Sequence, residues 1–146
     1  MISQLLRAES SFGSLTVGDA MHHGIITCDP RASLRDVVAA LAEHEIHSVV
    51  VADVPGEDGF PQLWGFVSDL DAVRGLCSPV ELRAGNLAAL EVITVAPRDE
   101  LERAARLMAE HDLAHVIVLE DGRPIGVLST LDVAKAVSRM NEGGSR

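Results

Sequence analysis

The chain has 146 residues and a mass of 15.5 kDa, enough for one domain with an apolar core, and its 47% hydrophobic and 23% charged residues exclude a disordered chain. Lys and Arg total 12 against 22 Asp and Glu, a net charge of −10 that argues against nucleic acid or an anionic membrane as partner. No apolar run approaches the ~20 residues of a membrane span, the first residues lack the basic and apolar regions of a secretory signal, and two cysteines cannot build a disulfide framework, so a cytoplasmic location is expected.

Residues 1–14 form an N-terminal segment whose first ten residues read as a short amphipathic helix, with Ile2, Leu5 and Leu6 on one side. TVGDAM (residues 16–21) leads into a short strand at residues 25–27, which runs into Pro30. A helix is predicted over residues 33–45, where Val37, Val38, Leu41 and Ile46 recur at helical spacing. HSVVVAD follows, a β-branched run too short for a helix and suited to a buried strand. VPGEDGFPQ reads as an exposed hairpin loop before a strand at 63–67, and a helix begins near Ser68. Residues 78–90 bridge to a second lead-in, AGNLAAL. The order then recurs: a strand at 92–95, a helix at 100–112 carrying Ala104, Ala105, Met108 and Leu113, the strand HVIVLED, a tight DGRPIG turn, a strand at 124–128 and a helix from Ser129. Residues 141–146 read as a polar tail that frays.

The recurrence is an internal duplication. Ile26–Val51 laid over Ile93–Val118, a shift of 67, gives ten identities in 26 positions. GFVSDLD then matches GVLSTLD at a shift of 61, so the first copy carries six extra residues, which the hairpin loop supplies. Two β-α-β-β-α units, residues 15–77 and 78–140, are expected to pack as one module.

The shared motif Gly-apolar-apolar-Ser-x-x-Asp falls at a strand-to-helix junction and has two readings. In one, Ser68 and Ser129 are N-caps, and Asp71 and Asp132 bond back to close capping boxes. In the other, the helix N-terminus and the Ser hydroxyl suit a phosphate, the acceptor-only carboxylate suits a ribose diol, and the Gly lets a flat ring approach the backbone. Together these parts describe a nucleotide site.

The lead-in VGDAM, the IT-x-x-P strand, the apolar strand and the G-h-h-S-x-x-D motif, each in order and twice, resemble a tandem pair of CBS domains, the regulatory repeats named after cystathionine β-synthase. The resemblance implies a mixed α/β (α+β) fold with pseudo-two-fold symmetry and two clefts between the repeats. It implies adenosine-containing ligands (AMP, ADP, ATP, NAD or S-adenosylmethionine), with Asp71 and Asp132 on the ribose and Ser68 and Ser129 near phosphate. His47 with Ser48 and Ala114 with His115 would lie beside ribose or phosphate. Ala20, Met21 and Ile26, and their counterparts Ala89, Leu90 and Ile93, would help to enclose adenine. It also implies a homodimer formed through helices, with an effector protein as a further partner.

Family members that bind nucleotides often place Arg or Lys near the phosphates; here the candidates are His47, His115, Arg31 and Arg98. Two histidines in an acidic chain favour few phosphates, so AMP, adenosine or a dinucleotide is expected over ATP, and Asp69 facing Thr130 in the repeat makes the sites unequal. His44 with His47 and His111 with His115 have metal-site spacings, but each pair straddles a helix end, so no metal is expected; His22 and His23 read as surface. Cys28 and Cys77 read as buried or half-buried packing, Trp64 as packing on the core or a dimer face, and Arg103 and Arg106 as partners of Glu102 and Glu110. With no nucleophile–base set, Walker loop or metal cluster, catalysis is not expected. The alternative to a ligand sensor is a ligand-free dimerising scaffold whose motifs are caps alone.

Overall fold

Each copy is built on a β-branched strand buried on both faces. The computed structural model describes residues 11–53, 62–88 and 93–144. In chain order the elements are α1 (Val17–Ala20), β1 (His22–His23), β2 (Thr27–Cys28), α2 (Leu34–His44), β3 (Ser48–Asp53), β4 (Gln62–Ser68), α3 (Asp69–Leu76), α4 (Ala84–Leu87), β5 (Thr94–Val95), α5 (Leu101–Glu110), β6 (His115–Glu120), β7 (Arg123–Ser129) and α6 (Thr130–Gly144). The fold is a mixed α/β architecture of two repeated sheet units, as expected. The first sheet has the order β2-β3-β4 and the second β1-β7-β6-β5, with β2 and β5 parallel to their neighbours.

The alternation within β3 explains its unbroken apolar run. Val49 and Val51 face the helices of their own repeat, whereas Val50 and Ala52 join Phe66 and Ile117 in a separate cluster between the repeats. In β6, Val116 and Val118 face the second repeat's helices and Ile117 faces the same inter-repeat cluster. A strand with apolar contacts on both faces needs no polar positions. The β6–β7 hairpin closes through Asp121 and Gly122, both at positive φ (52° and 77°), the geometry of a two-residue primed turn.

The lead-ins are exchanged. α1 is contiguous with repeat one but packs in the second repeat's core, where Val17 and Met21 are buried. α4 packs reciprocally in the first core through Ala84 and Ala88. Gly18 N–H donates to the Pro97 carbonyl at 2.8 Å, and Gly85 N–H donates to the Pro30 carbonyl at 2.7 Å. β1 continues the exchange and pairs antiparallel with β7. Gly126 makes room for it: a Cβ there would run into the His22 carbonyl. The glycine expected to admit a flat ring therefore admits a neighbouring strand.

Other expectations shift. The first strand of each copy is shorter and later than predicted, at Thr27–Cys28 and Thr94–Val95. α6 runs on to Gly144 where a fraying tail was expected, since a nucleated helix gains one hydrogen bond for each residue added. Met140 packs beside Gly13, where a Cβ would meet its sulfur at 2.8 Å. Cys28 is half-buried and its thiol is pushed up to about 11, by burial first and then by Asp29; Cys77, the residue capping the end of α3, is exposed. Trp64 is 47% exposed, and its ring lies against α4 at Gly85. The helix expected in the first ten residues and the hairpin loop at 54–61 lie outside the described residues.

Gly126→Ala is expected to lower stability in urea by about 1–3 kcal/mol, the range for overpacking a close contact. An unchanged midpoint would show that β1 does not depend on that clearance.

Candidate functional site

The exchange of β1 creates the site. It carries His22 and His23 onto the second repeat's sheet, in register with Val127 and Gly126, and the chain then returns through Ile25 and Ile26 to its own repeat. Between this crossing segment and the start of α6 lies a cleft of about 560 Å³, within the range of small-molecule pockets. Ile26, His47 and Ser48 of repeat one meet His115, Ser129 and Asp132 of repeat two in its walls. Six of the predicted site residues thus converge.

Asp132 is the best-defined group. It is 5% exposed. Its Oδ2 accepts from Ser129 N–H at 2.9 Å, and its own N–H donates to Ser129 Oγ at 3.1 Å. The capping box is therefore formed. It occupies one carboxylate oxygen; the other, Oδ1, lies 3.5 Å from His22 Nε2 at the cleft wall. A carboxylate fixed by a cap through one oxygen still presents the second as an acceptor.

Ser68 and Asp71 repeat the cap at α3. Ser68 N–H and Oγ donate to Asp71 Oδ2 at 3.0 and 2.9 Å, and Asp71 N–H donates to Ser68 Oγ at 3.1 Å. They do not line the large cleft. Ala114 lines a smaller hollow of about 350 Å³ between α5 and α6. Ala20 and Ile93 pack on the second core and Met21 is buried in it, so these three support the cleft without forming its walls. The helix caps set Met21 opposite Ala88, both following a four-residue helix. Ala89 and Leu90 lie outside the described residues.

The histidines and basic residues are redistributed. His47 Nδ1 is 3.0 Å from Asp69 Oδ2, a bond that holds the Asp69 carboxyl below the usual carboxylate range. Both repeats share the backbone bond at this turn, Asp69 N–H to the His47 carbonyl at 2.8 Å and Thr130 N–H to the Ala114 carbonyl at 3.0 Å, but the side-chain contact has no counterpart in repeat two, where the positions are Ala114 and Thr130. His115 is half-buried, edge-on to Phe66 with ring centroids 6.0 Å apart, and burial lowers its pKa. Arg31 is held by Asp29 at 3.1 Å and Asp53 at 3.3 Å and, like Arg98, lies outside the walls of this cleft. Arg106 pairs with Glu102 at 3.0 Å, as expected from their spacing.

Sequence reasoning missed His22, His23 and Lys135, all of which line the cleft. Lys135 had a signal: a basic residue stands three positions after the motif Asp in both copies, Arg74 and Lys135. The histidines had none, because their position depends on the exchange. Among the described residues, no group of three His, Cys, Asp or Glu is arranged to hold a metal ion, and no helix is long and apolar enough to cross a membrane.

Two β-α-β-β-α units that trade lead-ins around a shared cleft define a paired-repeat module. The chain belongs to the CBS domain family, whose model matches residues 17–78 and 84–139. It is 29% identical over 142 residues to the mitochondrial CBS domain-containing protein CBSX3 of Arabidopsis thaliana, covering 88% of this chain and 68% of that protein. It is 26% identical to hypoxic response protein 1 of Mycobacterium tuberculosis, covering 82% and 83%. Among solved structures it is similar to CBSX2 in complex with AMP (TM-score 0.70, 26% identity, covering 87% of this chain and 98% of that one). It also shares the fold of the CBS domain pair of protein MJ0100, solved with 5′-methylthioadenosine and S-adenosyl-L-methionine (TM-score 0.72, 21% identity, covering 82% and 97%).

The caps make a stability prediction. Ser68→Ala and Ser129→Ala should each lower the urea unfolding free energy by about 1 kcal/mol. A neutral outcome at both positions would assign the serines no structural part.

Proposed function

We propose that this chain is a non-catalytic sensor that binds an adenosine ligand of few phosphates, AMP first among them, in the cleft between its repeats. One observation carries the reading: the buried Asp132 is anchored by its cap through Oδ2 and keeps Oδ1 at the cleft wall, the arrangement a ribose diol needs. The AMP complex of the similar CBSX2 supports the ligand class. Lys135 is the permanent cation among the wall residues, and with Arg31 and Arg98 elsewhere the cleft matches a monophosphate better than a triphosphate.

The apolar cluster of Val50, Ala52, Phe66 and Ile117 joins the two repeats directly behind this cleft. A ligand bridging both repeats biases their packing by its differential affinity, typically ~1–3 kcal/mol. The readout is a second copy of the chain and an effector protein. Leu70, Val73 and Leu76 are more than half exposed at i, i+3 and i+6 on α3, an apolar stripe suited to a homodimer. The free thiols of Cys28 and Cys77 fit a reducing compartment, in our reading the cytoplasm.

The formed caps favour one competing reading, a scaffold that binds no ligand. A thermal-shift panel of AMP, ADP, ATP, adenosine, NAD and S-adenosylmethionine decides between them. AMP at 100 times its Kd should add about 2.7 kcal/mol of stability, and Asp132→Asn, which keeps a cap acceptor but puts an amide on the diol, should weaken AMP at least about tenfold while unfolding like wild type. No shift with any ligand would leave the scaffold.

Sedimentation should show a dimer that Leu76→Asp converts to monomer, because a buried carboxylate in an apolar interface has no partner. A wild-type monomer at micromolar concentration would remove the α3 stripe as the interface.

A further inference from the structure

Five of the chain's six histidines, His22, His23, His44, His47 and His115, line the cleft. The other charged wall residues are Glu45, Asp132 and Lys135, so with neutral histidines the walls carry one net negative charge. A phosphate dianion entering at high pH meets a wall of its own sign.

The histidines are not equivalent. His22 is engaged by Asp132 and His47 by Asp69. His23 and His44 are exposed. His115 is half-buried against Phe66, and among the described residues no side chain hydrogen-bonds its ring. It pairs with Ser129 across the β6–β7 ladder, which sets it beside the hydroxyl at the start of α6. Its repeat counterpart, Ser48, is buried and cannot titrate.

Resting on the reading of this cleft as an adenosine-ligand site with His115 beside the phosphate, we propose that phosphate recognition here is coupled to a proton, which His115 takes up as AMP binds. The charges that act on it are Asp69 and Asp71 from α3, Asp132 from α6 and His47 from the turn before β3, with Glu45, Lys135, His22, His23 and His44 around the same cleft. The three carboxylates favour the imidazolium and His47 opposes it, but burial prevails and holds the ring neutral. A phosphate adds close to two negative charges in the same cavity and reverses that balance. The protonated ring then donates to the phosphate, and one proton is bound for each AMP.

The consequence is a pH-dependent preference for phosphate. The test measures AMP and adenosine affinity by calorimetry at pH 8.0 and 6.5. The His22–Asp132 contact affects both ligands alike and cancels in the ratio of the two affinities. One proton taken up is one decade of affinity for each pH unit, so over this interval that ratio is expected to rise by up to about thirtyfold in favour of AMP. His115→Gln should hold the ratio flat, whatever its effect on the adenosine affinity itself. In the wild-type protein, the NMR titration midpoint of the His115 ring should move up when AMP saturates the cleft, a readout that needs no variant. AMP binding with a constant ratio, a His115→Gln protein that keeps the rise, or an unmoved His115 midpoint would each overturn the proposal and leave the adenosine site standing. Failure of both ligands to bind at either pH would overturn the site, and the proposal with it.

Discussion

Four backbone hydrogen bonds fix how the two halves of this protein relate. Val17 and Gly18 donate to the carbonyls of Asp99 and Pro97, while Ala84 and Gly85 donate to those of Ala32 and Pro30. Each short lead-in helix thereby docks on the proline turn of the other repeat. The contact is close enough that a Cβ at Gly85 would stand 3.0 Å from the Pro30 carbonyl. Because both lead-ins are traded, neither core is complete within its own stretch of chain: Met21 closes the second and Ala88 the first. The isolated bridges Thr16–Glu100 and Ser33–Arg83 are the same contact seen from the two sides.

From that exchange the cleft follows. The segment linking α1 back to repeat one must cross between the sheets, and it delivers His22 to Asp132 on the way. The motif serine and aspartate do structural and recognition work with the same atoms. A cap consumes one carboxylate oxygen and leaves the other, so the two readings of Ser-x-x-Asp are compatible at Asp132. At Asp71 the cap is equally formed, but its surroundings differ, since the neighbouring turn spends His47 on Asp69.

Duplication therefore yields an uneven pair. His47 and Asp69 in one copy are Ala114 and Thr130 in the other, and Ser48 faces His115. These substitutions lie at the starts of β3 and β6 and at the starts of α3 and α6, while the buried apolar residues in the middle of β3 and β6 are kept apolar in both. Packing constrains the middle of each strand. Its ends are free to set charge.

The sequence by itself determined the repeat, the β-α-β-β-α order, both helix caps and the doubly buried strands, because each is a local consequence of spacing, propensity or side-chain chemistry. The family resemblance put Ser129, Asp132, His47, Ser48, His115 and Ile26 among its fourteen candidates without grouping them, and the basic residue after the motif, Arg74 and Lys135, is legible in both copies. Only the tertiary structure decided which repeat each lead-in packs on, that Gly126 clears a strand and not a ring, that His22 and His23 face the cleft, and that Arg31 is spent on Asp29 and Asp53. Those outcomes hinge on contacts between residues far apart in the chain. A periodic pattern records that a face is buried; it carries no information about which partner buries it.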